Sequence, residues 1–386
     1  MIERRDHVRR VRGLLREFRI CAILGARQVG KTTLAEQVAQ GWRGSVRRFD
    51  LEDPRDLRRL GDPMGALEPL KGLVVLDEIQ RLPDQFPVLR VHADRARRGT
   101  RVRVLGSAAP DLLRQSSETL AGRIAYMRLP PLRTTEVGME QRDRLWVRGG
   151  FPRSLLAATE LASVRWRQEF ITAFLERDMP QLGVGIASAT MRSFWSMLAH
   201  YHGQRVNWSE LGRSFGVTDK TVRRYLEAFE STFVVRLLKP WHANVKKRQV
   251  KSPKVYLNDP GLLHTLLDIP NLRALEGHPK VGASWEGFAL SEVVQRLGMR
   301  WEACSYWATH QGAELDLLVH HGSHRLGFEF KRTSAPGITP SMRSALDDLK
   351  LDRLLVIHAG DGSYPLASRV RAVGFAQLDT ELKRLR

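Results

Sequence analysis

The sequence predicts an α/β protein in three parts: a parallel sheet with its helices at residues 1–150, a helical region at 151–258, and a smaller α/β domain at 259–386. Three observations carry this. Short apolar runs alternate with helical stretches from residue 20 to 130. The break Gly149-Gly150-Phe151-Pro152 ends that rhythm, and apolar residues then recur at helical spacing, as at Phe170 and Phe174 and at Phe194, Trp195 and Leu198. Near the C-terminus, apolar strands each carry an acid.

Length and composition set the outer limits. A chain of 386 residues fits two or three domains. With 42 % hydrophobic residues, each domain can bury a core, which excludes wholesale disorder. No apolar run approaches a membrane span. Cys21 and Cys304 are the only cysteines, which excludes a disulfide framework and a cysteine-rich zinc site, so a soluble cytoplasmic protein is expected. The 62 Lys and Arg against 42 Asp and Glu leave a net charge of +20, which favours a polyanionic partner, although arginine-rich codon usage would give the same excess.

The arginine-rich start, Met1 to Phe18, spaces Val8, Val11, Leu15 and Phe18 as a helix does and runs unbroken into the first strand. It reads as the first helix of a domain rather than a targeting segment. The apolar run Ile20 to Leu24 feeds Gly25-Ala26-Arg27-Gln28-Val29-Gly30-Lys31-Thr32, with a helix expected from Thr33 to Gln40. Strand, G-x-x-x-x-G-K-[ST] and helix form a phosphate-binding P-loop. Its two glycines let the backbone N–H groups turn to the phosphates, and the helix N-terminus adds a positive dipole end. Lys31 is placed for the β- and γ-phosphates and Thr32 for Mg²⁺. Leu73-Val74-Val75-Leu76-Asp77-Glu78 is a buried-type strand ending in paired acids, where ligands bind such sheets. Asp77 is expected to hold Mg²⁺ and Glu78 to orient or deprotonate the attacking water. Ser107, ending the strand from Arg101, is either a γ-phosphate sensor or a plain turn serine. Arg123, after the flexible Gly122, is a candidate for neutralising transition-state charge.

In the middle region, Ser209 to Phe215 and Thr218 to Phe229 read as two helices around a Gly216-Val217 turn. Val222, Leu226 and Phe229 then face inward and Lys220, Arg223 and Arg224 outward, the form of a helix-turn-helix. Phe233 to Leu238 reads as a strand that begins a wing. From Ser231 to Asn258 there is no acid, while Arg236, Lys239, Lys246, Lys247, Arg248, Lys251 and Lys254 all occur. Such a stretch suits nucleic-acid phosphates; winged helices also serve as protein-binding modules.

In the last region Glu286 lies on a helix beginning near Ser284, Asp316 on the strand Glu314 to Val319, and Glu329 and Lys331 two apart on the strand Leu326 to Lys331. Residues two apart on a strand share a face. Asp316 and Glu329 are therefore expected to bind a second Mg²⁺ or Mn²⁺, with Lys331 activating water and Glu286 as a helix-borne fourth member. The alternative is a half-exposed sheet with solvated charges. No H-E-x-x-H and no G-x-S-x-G occurs, and the pairs His200/His202 and His320/His321 lack placeable ligand partners.

Taken in order, Gly25 to Thr33, Leu76-Asp77-Glu78-Ile79-Gln80, Leu105-Gly106-Ser107, Leu120 to Ile124 and Arg148-Gly149-Gly150-Phe151-Pro152 resemble the AAA-type ATPases of bacteria and archaea that carry a conserved C-terminal domain of unknown function. The resemblance implies an AAA-type P-loop NTPase sheet, ATP and Mg²⁺ as cofactors, Ser107 as sensor and Arg123 as the conserved arginine. That arginine would act in cis, or in trans within a homo-oligomer. Ala26 stands where the family often has proline. The acid-x-lysine strand is similar to the PD-(D/E)xK nuclease superfamily, without the proline before Asp316. The expected function is a Mg²⁺-dependent ATPase acting on nucleic acid, DNA ahead of RNA, without a membrane. The alternatives are an ATP-gated nuclease and a nucleotide-dependent switch that binds a protein partner.

Overall fold

The computed structural model describes residues 2–81, 85–95, 101–107, 119–181, 185–241 and 251–385. The chain forms two compact units, Met1–Val137 with Ser231–Val234, and Gly138–Glu230 with Val235–Arg386. The expected boundaries near 150 and 258 do not coincide with this division, and the helical region shares a unit with the C-terminal sheet.

The first unit holds a five-stranded parallel sheet in the order β2-β3-β4-β1-β5. Its strands are β1 (Ile20–Gly25), β2 (Val46–Asp50), β3 (Leu73–Asp77), β4 (Arg101–Ser107) and β5 (Ile124–Arg128). β1 and β3 are buried along their whole length, which is why they read as continuous apolar runs. Helix α1 (Arg5–Glu17) buries Val11 and Leu15 at the expected spacing. Helix α2 starts at Lys31, two residues before the expected Thr33, because Gly30 at φ +97° turns the chain straight into it. One core runs from Ile20, Ala22 and Leu24 through Val74 and Leu76 to Phe86 and Leu89, and Phe233 packs against it.

In the second unit, Trp208–Phe215 and Asp219–Ser231 are helices. The Asn207 side chain caps the first, accepting from the Glu210 N–H. Thr218 lies just outside the second rather than within it, and its hydroxyl accepts from the Thr221 N–H at 3.3 Å. Val222, Leu226 and Phe229 are fully buried and Lys220, Arg223 and Arg224 exposed, as the spacing requires. The following strand begins at Val235, two residues later than expected, since Phe233 adopts φ +62°. β6 (Val235–Leu238) and β7 (Lys254–Leu257) pair as an antiparallel hairpin.

The unit's larger sheet has the order β12-β13-β11-β10-β9-β8. Its strands are β8 (Cys304–Ala308), β9 (Glu314–His321), β10 (His324–Lys331), β11 (Arg353–His358), β12 (Tyr364–Ala367) and β13 (Val370–Gly374). β8, β9 and β10 are antiparallel neighbours, while β10, β11 and β13 run parallel. The helix Pro340–Asp348 links β10 to β11 and packs Met342, Ala345 and Leu346 on the sheet. The helix Val281–Arg296 precedes β8.

Candidate nucleotide site and C-terminal acid cluster

At the end of β1 the chain must leave a fully buried strand and curl within a few residues. Gly25 allows this because a Cβ there would lie 2.6 Å from the Leu129 carbonyl oxygen. Gln28 at φ +59° and Gly30 complete the curl. The backbone from Gly25 through Ala26, Arg27, Gln28, Val29 and Gly30 thus ends on Lys31, Thr32 and Thr33 in the first turn of α2. Lys31 is 6 % exposed and donates from Nζ to the carbonyl oxygens of Gly25 (3.2 Å) and Ala26 (3.0 Å), so its ammonium lies inside the loop.

The paired acids end the neighbouring β3. Asp77 is buried, and its Oδ2 accepts from the Thr32 hydroxyl at 2.9 Å. Burial and the adjacent Glu78 raise the Asp77 pKa, against the Thr32 hydrogen bond and the Arg48 charge. A hydroxyl and a carboxylate this close fit the hard oxygen set that Mg²⁺ takes at a P-loop. Glu78 follows at φ +54°, an uncommon conformation for a non-glycine residue. Ser107 ends β4 with Gly25 as its register partner, so its backbone lies beside the start of the loop.

Sequence reasoning missed Arg48. It bridges the Asp77 Oδ2 at 3.0 Å and the Glu36 Oε1 at 3.1 Å. The contact depends on β2 lying next to β3, which no local pattern reveals.

Arg123 lies elsewhere. It immediately precedes β5, whose Ile124 is opposite Ile20 at the start of β1, whereas the P-loop leaves from the end of β1. Six strand residues separate those ends, on the order of 16–20 Å. The Arg123 guanidinium pairs with Asp94, at 2.6 Å from Nε and 3.0 Å from the second nitrogen. The structure does not bring Arg123 to its own P-loop.

The N-terminal segment braces the loop from behind. The buried Arg4 guanidinium bonds Glu136 at 2.6 Å, the Pro130 carbonyl at 2.9 Å and the Val29 carbonyl at 3.4 Å. Burial opposes the Glu136 charge, but His7 and Arg4 outweigh it and hold its pKa down at about 2.

In the second unit the four expected acid-cluster residues do converge, around a fifth that was not expected. Lys254, the first residue of β7, is 2 % exposed. Its Nζ lies 2.5 Å from Glu314, 3.3 Å from Glu286 and 3.3 Å from Asp316. Asp316 also accepts from the Phe330 N–H at 3.1 Å, and Lys331 pairs with Glu329 at 2.8 Å. The Tyr256 hydroxyl donates to Glu286 at 2.5 Å. Burial and the Asp316 charge push Glu286 up to about 7 and Glu329 up to about 8. Burial works against the Lys254 charge, yet Glu286, Tyr256, Asp316 and Glu314 hold its pKa well above the usual value. Lys254 is therefore not the phosphate contact its basic surroundings implied.

A second Mg²⁺ or Mn²⁺ does not fit this arrangement. Among the described residues no group of three or more His, Cys, Asp and Glu side chains is set to hold a metal ion, and an ammonium already contacts three of the carboxylates.

Of the expected nucleic-acid contacts, Lys220, Arg223 and Arg224 are exposed on the Asp219–Ser231 helix, with Arg223 over the Trp208 ring at 4.0 Å. Lys246, Lys247 and Arg248 lie outside the described residues.

Over 380 residues the chain is 50 % identical to the Uncharacterized protein Rv2008c of Mycobacterium tuberculosis, an alignment covering 98 % of this chain and 85 % of that one. The chain belongs to the Rv2008c family. The Uncharacterized protein Mb2031c of Mycobacterium bovis matches with the same identity and coverage. A family model described as an AAA domain matches residues 17–138. Two domains of unknown function, DUF8612 and DUF4143, match residues 139–273 and 281–378. Among solved structures, the Walker-type ATPase PABY2304 of Pyrococcus abyssi is similar with a TM-score of 0.50 at 14 % identity, covering 69 % of this chain and 96 % of that one. At that identity the likeness concerns the fold alone. The N-terminal part is an AAA-type ATPase-like domain with a P-loop. No helix among the described residues is long and apolar enough to cross a membrane.

Proposed function

We propose that the first unit is a Mg²⁺-dependent ATPase whose turnover serves work on nucleic acid, DNA ahead of RNA, in the cytoplasm. The observation that carries the ATPase reading is the Thr32 hydroxyl on Asp77 at 2.9 Å beside a Lys31 ammonium folded into the loop. When bound, Mg²⁺ neutralises phosphate charge. Lys31 exchanges its two carbonyl partners for β- and γ-phosphate oxygens. Thr32 and Asp77 orient the ion, Glu78 positions the attacking water, and Ser107 senses the γ-phosphate. Arg123, far from its own loop and held by Asp94, serves a neighbouring copy in a homo-oligomer.

The nucleic-acid reading rests on the exposed Lys220, Arg223 and Arg224 of a helix-turn-helix followed by the β6–β7 hairpin, which together have the form of a winged helix. The test is ATP turnover with and without duplex DNA. Lys31→Ala and Glu78→Gln should each lose turnover by at least 100-fold, Glu78→Gln while still binding ATP. DNA should stimulate the wild type, and its affinity should fall steeply with salt, less steeply in Lys220→Ala/Arg224→Ala. Turnover retained in Lys31→Ala would overturn the ATPase reading. Turnover and affinity indifferent to DNA would leave a nucleotide switch acting on a protein partner.

A further inference from the structure

We propose that Lys254 is the resident cation of the C-terminal acid cluster, taking the place a divalent metal would take and fixing the β6–β7 hairpin to the six-stranded sheet without one. This does not depend on the ATPase reading.

The sequence pattern of this domain implies a metal held by carboxylates of β9, β10 and the Val281–Arg296 helix. The geometry departs from that at one atom. Lys254 Nζ reaches a carboxylate of the helix, Glu286, and two of β9, Glu314 and Asp316, at 2.5–3.3 Å. These are ion-pair distances to the same oxygens that would ligate a metal. A divalent ion placed among them would meet the ammonium at contact distance, and repulsion between like charges in a buried site is severe.

The ammonium is held by burial and by its three ion pairs, and the backbone that carries it is built into the fold. The Val255 N–H donates to the Gln204 carbonyl at 3.0 Å, the Val206 N–H to the Pro253 carbonyl at 2.8 Å, and the Leu257 N–H to His202 Nδ1 at 3.0 Å. The hairpin is also tied to β8. The Trp241 N–H donates to the Tyr306 carbonyl at 2.7 Å, the Tyr306 N–H to the Lys239 carbonyl at 3.1 Å, and the Tyr306 hydroxyl to the Ser252 carbonyl. Lys254 thus enters the cluster from a strand anchored on both sides, and the acids receive their countercharge from the chain itself. Lys254 is a positioning residue here, and the acid cluster is not built for a metal-dependent cut.

The test uses the full chain carrying Asp77→Asn, which silences the P-loop metal, and reads Mn²⁺ binding by electron paramagnetic resonance. This chain should bind no Mn²⁺ at submillimolar concentration. Adding Lys254→Met should create one Mn²⁺ site per chain, lost again with Asp316→Asn. Mn²⁺ should raise the melting temperature of the Lys254→Met chain and leave that of its Asp316→Asn derivative unchanged. One Mn²⁺ bound by the Asp77→Asn chain and lost on Asp316→Asn would overturn the proposal. So would a folded Lys254→Met chain that gains no site. Should Lys254→Met fail to fold, the Asp77→Asn measurement alone decides.

Discussion

Glu136→Gln tests whether the brace behind the P-loop is structural. The wild-type carboxylate is buried against Arg4 and His7 and titrates at about 2 instead of 4.5. That difference corresponds to about 3 kcal/mol of stabilisation at neutral pH. The substitution also leaves the buried Arg4 guanidinium without its charge partner, a loss of about 3–5 kcal/mol when such a pair is broken. The two figures describe one interaction and agree. A loss near 3 kcal/mol should therefore appear in urea unfolding of the first unit, followed by a probe in that unit since the two units need not unfold together. Because the Glu136 pKa is depressed, the stabilisation is present above pH 4.5 and fades as pH falls towards 2, so wild type and variant should converge in acid. Nucleotide affinity should fall as well, since Arg4 also bonds the Val29 carbonyl in the loop. A loss under 1 kcal/mol at pH 7, or a gap that stays constant down to pH 2, would refute the argument.

Three further outcomes are expected. Gly25→Ala should weaken binding of a fluorescent ATP analogue by at least tenfold, because the new Cβ would sit 2.6 Å from the Leu129 carbonyl and push β1 and β5 apart at the loop. Arg123→Ala should leave that affinity within twofold, while a large drop would place the residue at its own loop after all. In the second unit Glu286 and Glu329 titrate at about 7 and about 8, above the 4.5 of an unfolded glutamate. Between about pH 6.5 and 8 the folded chain then holds more protons, so its melting temperature should decline across that window. Below it the buried His202 and His264, held down at about 3 and about 4, take protons only on unfolding and oppose the trend. Carboxyl carbon shifts followed by NMR in the same range would identify the two groups.

The nucleotide site was legible because its determinants are consecutive: an apolar strand, a glycine-framed loop and a lysine-led helix lie within 21 residues, Ile20 to Gln40. The convergence of Asp316, Glu329 and Lys331 was legible too, since alternation along strands gives their faces, and Glu286 was expected to join them from a helix. Lys254 was not. In an acid-free basic stretch it looks like a solvated side chain, and its partners lie 32 and 62 residues further on. Arg48 needed the strand order, and the absence of Arg123 from its own loop needed the strand direction. Helix and strand limits shifted where single residues with positive φ, Gly30 and Phe233, set the turn.

Phe233 has a consequence for how this protein can be taken apart. The four residues Ser231–Val234 leave the second unit, supply Phe233 to the core of the first, and the chain then resumes the second unit at Val235. The first unit is therefore discontinuous in sequence. A chain ended after Val137 matches the family boundary at 138 but would lack an aromatic ring from its core. Recombination at that boundary would carry the same defect, and an exchanged ATPase half would have to accept the host's Phe233.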